Sequence, residues 1–279
     1  MTTTLRPAEP ERRGPDGARS RRYTVCVNSR PVGAIQLSTD QRFGPESGRI
    51  AGLSIDEPDR GRGRATIAAL AAEEVLRDWG CRRIETAIPA SASAAIALAA
   101  VLGYTEQNRG MFKTLPLAPP PLPEGSALHS LAAAEFPAWH EHEQSGYVEN
   151  WTVRGIPYER ALAIAEAGHR LLLPDGPATA DTVLGVLSHR GTDVGTLWVR
   201  LRDPDRAQAP AWVCNVEVAE QHRGHGHGRT LMLAAERECL AAGVRTLGLN
   251  VFADNTPALR LYESLGYQAT DLHFSKPLG

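Results

Sequence analysis

Two glycine-rich segments, Arg60-Gly61-Arg62-Gly63-Arg64-Ala65 and Arg223-Gly224-His225-Gly226-His227-Gly228, stand 163 residues apart, and the same interval separates Tyr104 from Tyr267. An interval held without a gap from loop to tyrosine marks one structural unit written twice, so the chain must fold into two copies of a lobe. Between those ends Leu70, Ala71, Ala72 and Glu73 match Leu233, Ala234, Ala235 and Glu236, while Gly80, Leu98, Leu102 and Gly103 match Gly243, Leu261, Leu265 and Gly266. Positions a scaffold needs agree. Two polar positions do not: Ala92 and Ala99 stand where the second copy has Asn255 and Tyr262, and alanine supplies neither an amide hydrogen bond nor a proton.

In the second copy the alternating strand around Val216, Glu217 and Val218 runs into the glycines, and a helix is expected from Thr230 to about Ala242. Glycines at alternate positions leave successive backbone N–H groups uncrowded, and the helix turns its positive end toward them, a combination that suits a phosphate or pyrophosphate. A P-loop would need Lys-Ser or Lys-Thr after its last glycine, and a dinucleotide loop Gly-x-Gly-x-x-Gly with a later acidic residue. Neither spacing is met. After a strand from Thr246 to Phe252, Thr256 is expected to cap a helix, Pro257 to open it and Gly266 to end it, with Leu261 and Leu265 buried.

Through Arg223, Gly226 and Gly228 the loop resembles the Arg/Gln-x-x-Gly-x-Gly/Ala signature of the GNAT superfamily of N-acetyltransferases. The stretch from Asn255 to Tyr267 is similar to that family's second signature, Asn-x-x-Ala-x-x-Leu-Tyr-x-x-x-Gly-Phe/Tyr. Arg60, Gly61, Gly63 and Ala65 repeat the loop in the first copy. The resemblance implies an α/β chain with α+β mixed sheets: two GNAT-like lobes, each a mostly antiparallel sheet flanked by helices. The residues before Tyr23 are mostly polar, rich in Pro, Gly and Arg and without a period, so the strand and two helices that open the family's fold have no evident source, and the first lobe is expected to be truncated and degenerate. The expected organisation is a disordered tail over 1–21, a degenerate lobe over 22–115, a stiff proline-rich linker over 116–125 and a catalytic domain over 126–279.

The activity implied is acyl-CoA-dependent N-acyl transfer, with acetyl-CoA as co-substrate, by direct attack of a primary amine of a small molecule or peptide. By resemblance the coenzyme site comprises Val216, Val218, Arg223, Gly224, His225, Gly226, His227, Gly228, Arg229, Thr230, Asn255 and Tyr262. Tyr262 would protonate the departing thiolate, since a phenol is only a slightly weaker acid than a thiol. Glu217 faces away from Val216 and Val218, on the side of Asn215; it is either the general base that the acceptor ammonium requires or a structural carboxylate. Asn255 either holds the pantetheine arm or satisfies its own backbone. A non-catalytic acyl-CoA sensor or interaction protein is the alternative from another class.

Composition excludes more than it assigns. A net charge of −2 gives no electrostatic case for nucleic acid or an anionic membrane, and no apolar run suggests a membrane span or a signal peptide. The scattered Cys26, Cys81, Cys214 and Cys239 are expected as free thiols in a reducing cytoplasm. No metal is expected. Glycines between His222, His225 and His227 make the rings diverge, and His140-Glu141-His142-Glu143 lacks the zinc-binding His-Glu-x-x-His spacing and reads as the polar face of a helix. The segment holding Trp139, Tyr147, Glu149, Trp151 and Tyr158 either receives a cationic acceptor or mixes core aromatics with a solvated face. Oligomeric state is left open.

Overall fold

In the computed structural model, which describes residues 2–14, 17–40, 42–203 and 210–279, the first element is a strand, Thr3–Pro7 (β1). It and Arg12–Arg13 (β2) pair antiparallel with Arg19–Val27 (β3). The expected disordered tail is thereby corrected: Thr3 to Pro7 forms a backbone ladder with Val27 to Tyr23. Main-chain pairing does not depend on side-chain polarity, so the polar composition concealed it. The opening strand that the sequence seemed to lack is this one. Among the described residues no helix lies between β1 and β3.

Asn28 and Ser29, at φ 46° and 72°, turn β3 into Arg30–Asp40 (β4), which pairs with Gly44–Ile55 (β5). Arg64–Asp78 (α1), Arg83–Pro89 (β6), Ser93–Val101 (α2) and Thr105–Thr114 (β7) complete the first repeat. The second repeat runs Ser126–Ser130 (β8), Phe136–Thr152 (α3), Tyr158–Leu172 (α4), Thr182–His189 (β9), Thr192–Arg200 (β10), Ala211–Val218 (β11), His227–Ala241 (α5), Thr246–Phe252 (β12), Thr256–Ser264 (α6) and Gln268–Pro277 (β13).

The chain divides into a first unit of Met1–Asn108 with Asp271–Gly279, and a second of Arg109–Thr270. The proline-rich stretch 116–125 therefore lies within the second unit. Strand membership, not linker stiffness, sets the division. The first unit's strands run in the order β1-β3-β4-β5-β6-β13, and the second unit's in the order β7-β12-β11-β10-β9-β8. Each unit has a short parallel pair among its antiparallel ones: Ser47–Arg49 with Arg83–Glu85, and Ala211–Val213 with Leu247–Leu249.

In the second unit α5 buries Leu231, Met232, Ala234, Ala235 and Cys239 against Leu197, Val199, Val213, Leu247 and Leu249 of the sheet. On the other sheet face Trp139 of α3 packs with Leu184, Val186 and Trp198. Leu197 and Trp198 point to opposite faces because successive strand residues alternate. All four cysteines carry free thiols.

The chain has two lysines, Lys113 and Lys276, again 163 residues apart. In the second unit Lys113 Nζ lies 2.6 Å from the fully buried Glu236 carboxylate and 5.6 Å from the Tyr267 ring centre. In the first, Lys276 Nζ lies 2.7 Å from buried Glu73 and 5.5 Å from the Tyr104 ring centre. Backbone bonds repeat the pattern. The Leu115 amide donates to the Arg245 carbonyl at 2.8 Å, and the Leu278 amide to the Arg82 carbonyl at 2.7 Å. Each unit is thus closed by the last strand of the other repeat.

Candidate active site

Beyond Val213, β11 keeps its ladder with β10, from Asn215 opposite Trp198 to Val218 opposite Gly195. Its parallel ladder with β12 stops at Val213 and Leu249. The two strands part, and main-chain groups along the opening have no ladder partner, a place where an extended ligand can supply them. Val216 and Val218 turn their side chains into the core under α5. Asn215 and Glu217 point to the other face, as the alternation requires.

β11 leads into the glycine loop. Gly224 and Gly226 adopt φ 80° and 85°, the left-handed region that costs other residues about 1–2 kcal/mol. Gly226 is the cap of α5, which begins at His227 and not at the expected Thr230, and as a glycine it offers the first-turn amides no side-chain cap. Those N–H groups, with the positive end of the helix, face an incoming anion. Arg223 Nε donates to the Val218 carbonyl at 3.1 Å, so this side chain braces the loop. A Cβ on Gly228 would meet the Leu261 side chain at 3.4 Å, an ordinary van der Waals contact. The Arg229 guanidinium bonds the Ser264 hydroxyl, and the Thr230 hydroxyl reaches the Gly226 carbonyl at 3.4 Å.

His227 sits in a group of histidines, its ring centre 5.1 Å from His189, 6.2 Å from His225 and 6.4 Å from His222. Burial and these neighbours lower its affinity for a proton. Among the described residues no set of three or more His, Cys, Asp or Glu is arranged to hold a metal ion. Among the described residues no helix is long and apolar enough to cross a membrane.

Tyr262 is 9% exposed on α6, and burial pushes its phenol up to about 12. It therefore keeps its proton at neutral pH. Asn255 caps α6: its side-chain oxygen accepts from the Ala258 amide at 3.2 Å. The cap expected at Thr256 is thus one residue earlier, and the Asn255 oxygen is held by its own helix while its amide N–H₂ keeps two donors.

Helix α3 runs from Phe136 to Thr152, and it brings two side chains to β11. His142 Nε2 lies 2.9 and 3.0 Å from the two carboxylate oxygens of Glu217. The Asn215 amide donates to Glu143 at 2.5 Å. Burial first, and then the nearby Glu217, push the Glu143 carboxyl up to about 7. The hydrogen bond to Glu217 raises the proton affinity of His142. Sequence alone places these two residues on the polar face of a helix. Nothing in their local spacing signals the contact, because only the packing of α3 on the sheet brings them to β11.

The first unit repeats the loop without these groups. Gly61 and Gly63 adopt φ 69° and 71°, and Arg60 Nε donates to the Ile55 carbonyl at 2.8 Å, matching Arg223 and Val218. Ala65 replaces Gly228. At the positions of His222 and His227 stand Asp59 and Arg64. They form a buried ion pair, with Arg30 a further 2.7 Å partner of Asp59. Ala92 caps α2 with no side-chain bond, and Ala99 is buried where Tyr262 would be.

The model of the Acetyltransferase (GNAT) family matches residues 3–104 and again 127–267. The chain belongs to the GNAT family. It is 31% identical over 154 residues to the N-acetyltransferase YycN of Bacillus subtilis, covering 54% of this chain and 97% of that one. It is 28% identical over 232 residues to a mycothiol acetyltransferase of Brachybacterium faecium, covering 80% of this chain and 66% of the relative. Among solved structures, a tandem GNAT protein from the clavulanic acid biosynthesis pathway superimposes with a TM-score of 0.51 at 19% identity, covering 96% of this chain and 85% of that one. At that identity the likeness is one of fold. The family's match to both halves makes this a tandem GNAT acetyltransferase.

Proposed function

We propose that the second unit carries out acetyl-CoA-dependent N-acetylation of a primary amine on a small molecule or peptide, by direct attack and without an acyl-enzyme. The observation that carries this reading is the nest at Gly224 and Gly226, which stands at the end of the strand that parts from β12. The nest suits a diphosphate, and the opening suits an extended arm leading to a thioester. Val216 and Val218 would bond that arm through their backbone, and the amides from Gly224 to Thr230 would hold the diphosphate. Arg223, His225, His227 and Arg229 supply positive or titratable charge around it. Similarity to a mycothiol acetyltransferase over 80% of the chain supports a small-molecule acceptor.

In the reaction the acceptor ammonium loses a proton, its nitrogen attacks the thioester carbonyl, the C–S bond breaks and the thiolate takes a proton. Glu217 on the face of β11 takes part in removing the ammonium proton, and Tyr262, protonated at neutral pH, acts as acid. The first unit, with alanines for Asn255 and Tyr262 and an ion pair in its loop, is assigned a supporting part. The test is CoA release from acetyl-CoA across a panel of amines and peptides. Tyr262→Phe should lower kcat by about 10²-fold or more, as removal of a general acid does, with CoA affinity unchanged in calorimetry. Equal turnover in both proteins would remove Tyr262 from the role.

A further inference from the structure

We propose that Glu143 is a second catalytic carboxylate of the second unit: it receives the proton of the acceptor ammonium, and Glu217 and His142 form the path by which that proton leaves. The proposal rests on the acetyltransferase reading and identifies a group that neither the family signatures nor the loop contain. Asn215 and Glu217 lie on one face of β11, roughly 7 Å apart along the strand. α3 crosses that face with two successive residues, Glu143 on Asn215 and His142 on Glu217. The face borders the opening between β11 and β12.

The three groups differ in access to water, and that difference orders them. Glu143, on α3, is half-buried, the Glu217 side chain is 34% exposed, and that of His142 is 66% exposed. A carboxylate withdrawn from water is a stronger base than an exposed one, and it takes up a proton that an exposed carboxylate leaves in solution. The charged and titratable groups acting on Glu143 are Glu217 from β11 and His142 from its own helix, together with the amide of Asn215. Glu217 opposes its ionisation; the Asn215 amide and His142 favour it. The result is a carboxyl that titrates at about 7, where a base must sit to collect a proton and release it each turnover. The balance is simple. The ammonium N–H breaks, Glu143 becomes a carboxylic acid, and the neutral amine attacks. Glu217 then accepts the proton and His142 passes one to solvent, which restores the Glu143 carboxylate. After attack the nitrogen loses its second proton, which replaces the one Tyr262 gives to the departing thiolate, so the amide leaves with one hydrogen on nitrogen, the thiol carries one proton and Tyr262 is restored.

Two measurements on the full-length protein test this. Carbon-13 NMR of labelled glutamate side chains should show a carboxyl titrating near pH 7 that is missing in Glu143→Gln and moves down in Glu217→Gln. If every carboxyl titrates in the ordinary range, the proposal is overturned. With an acceptor amine in hand, kcat/KM of the natural protein should rise through pH 7. Glu143→Gln should lose that limb and fall about 10²-fold, while its CoA affinity and thermal midpoint at low pH are kept. His142→Gln should keep the limb and lower kcat. A Glu143→Gln protein with near-natural turnover and the same limb would overturn the assignment. If no amine elicits CoA release from the natural protein, the acetyltransferase reading fails and the catalytic role with it. Because the titration needs no turnover, the two failures are told apart.

Discussion

Glu143 carries a stability consequence independent of catalysis. Its folded-state carboxyl is raised to about 7 by burial and by Glu217, against an unfolded value of roughly 4.3. A raised carboxyl contributes stability that is complete below the unfolded value and is lost as pH climbs through the folded one. Between about pH 4 and pH 7 the natural protein should lose this contribution, and Glu143→Gln should not. The thermal midpoint of the variant, relative to the natural protein, is therefore expected to be higher at pH 8 than at pH 5; the same difference at both values would contradict the shift. Asn255 gives a second prediction at this scale. Asn255→Ala removes the α6 cap and should cost about 1 kcal/mol in a denaturation midpoint. Ala92 already caps α2 with no side-chain bond, so the fold survives. Tyr262 and Glu217 were legible as candidates because a signature and an alternation are local. Glu143 was not, since its environment comes from α3 lying against β11.

At the scale of the element, both loops have the same backbone form but different contents. Gly63 and Gly226 cap their helices at φ 71° and 85°, so a valine at either position strains the backbone by a similar amount. Any difference in function then reports the use made of the loop. Gly226→Val should abolish CoA binding in calorimetry, whereas Gly63→Val should leave turnover nearly intact. A large loss of turnover from Gly63→Val would show that the first loop contributes to donor binding. The elements themselves followed well from sequence where hydrophobic period and turn residues coincide, as in Thr246–Phe252, found as expected. β1 did not, because a polar strand contributes backbone pairing but no apolar pattern. The first turn of α5 was missed for a related reason: His227 and Gly228 are poor helix formers, and Gly226 in the left-handed region starts the helix before them.

For the whole molecule, the two lysines decide what counts as a unit. Elsewhere in the chain positive charge is carried by arginine and by partly charged histidine, yet each repeat keeps one lysine at the same place, bonded to a buried glutamate. A compact ammonium fits a buried carboxylate under a tyrosine ring where a planar guanidinium would need a wider fork. Lys276 comes from the second repeat and bonds Glu73 of the first unit; Lys113 comes from the first repeat and bonds Glu236 of the second. Removing one partner of a buried pair leaves an uncompensated charge, at a cost of about 3–5 kcal/mol. Hydrogen exchange followed by mass spectrometry should therefore show Lys276→Met loosening α1 in the first unit, and Lys113→Met loosening α5 in the second. The reverse pattern would mean that each repeat is closed by its own last strand.

From its residues alone the chain determined that it holds two copies of one lobe, that each copy places a glycine nest before a helix, and that only the second has the tyrosine and asparagine of the signature. Such features are local: turn stereochemistry, alternation and interval all act over a few residues or repeat at a constant spacing. The tertiary structure alone decided that Glu143 meets Asn215 beside Glu217, that β1 joins β3, and that the lysines serve opposite repeats. In each of these the partners are brought together by closure of the chain over a long separation, and no short-range preference encodes which distant carboxylate or strand edge will be there.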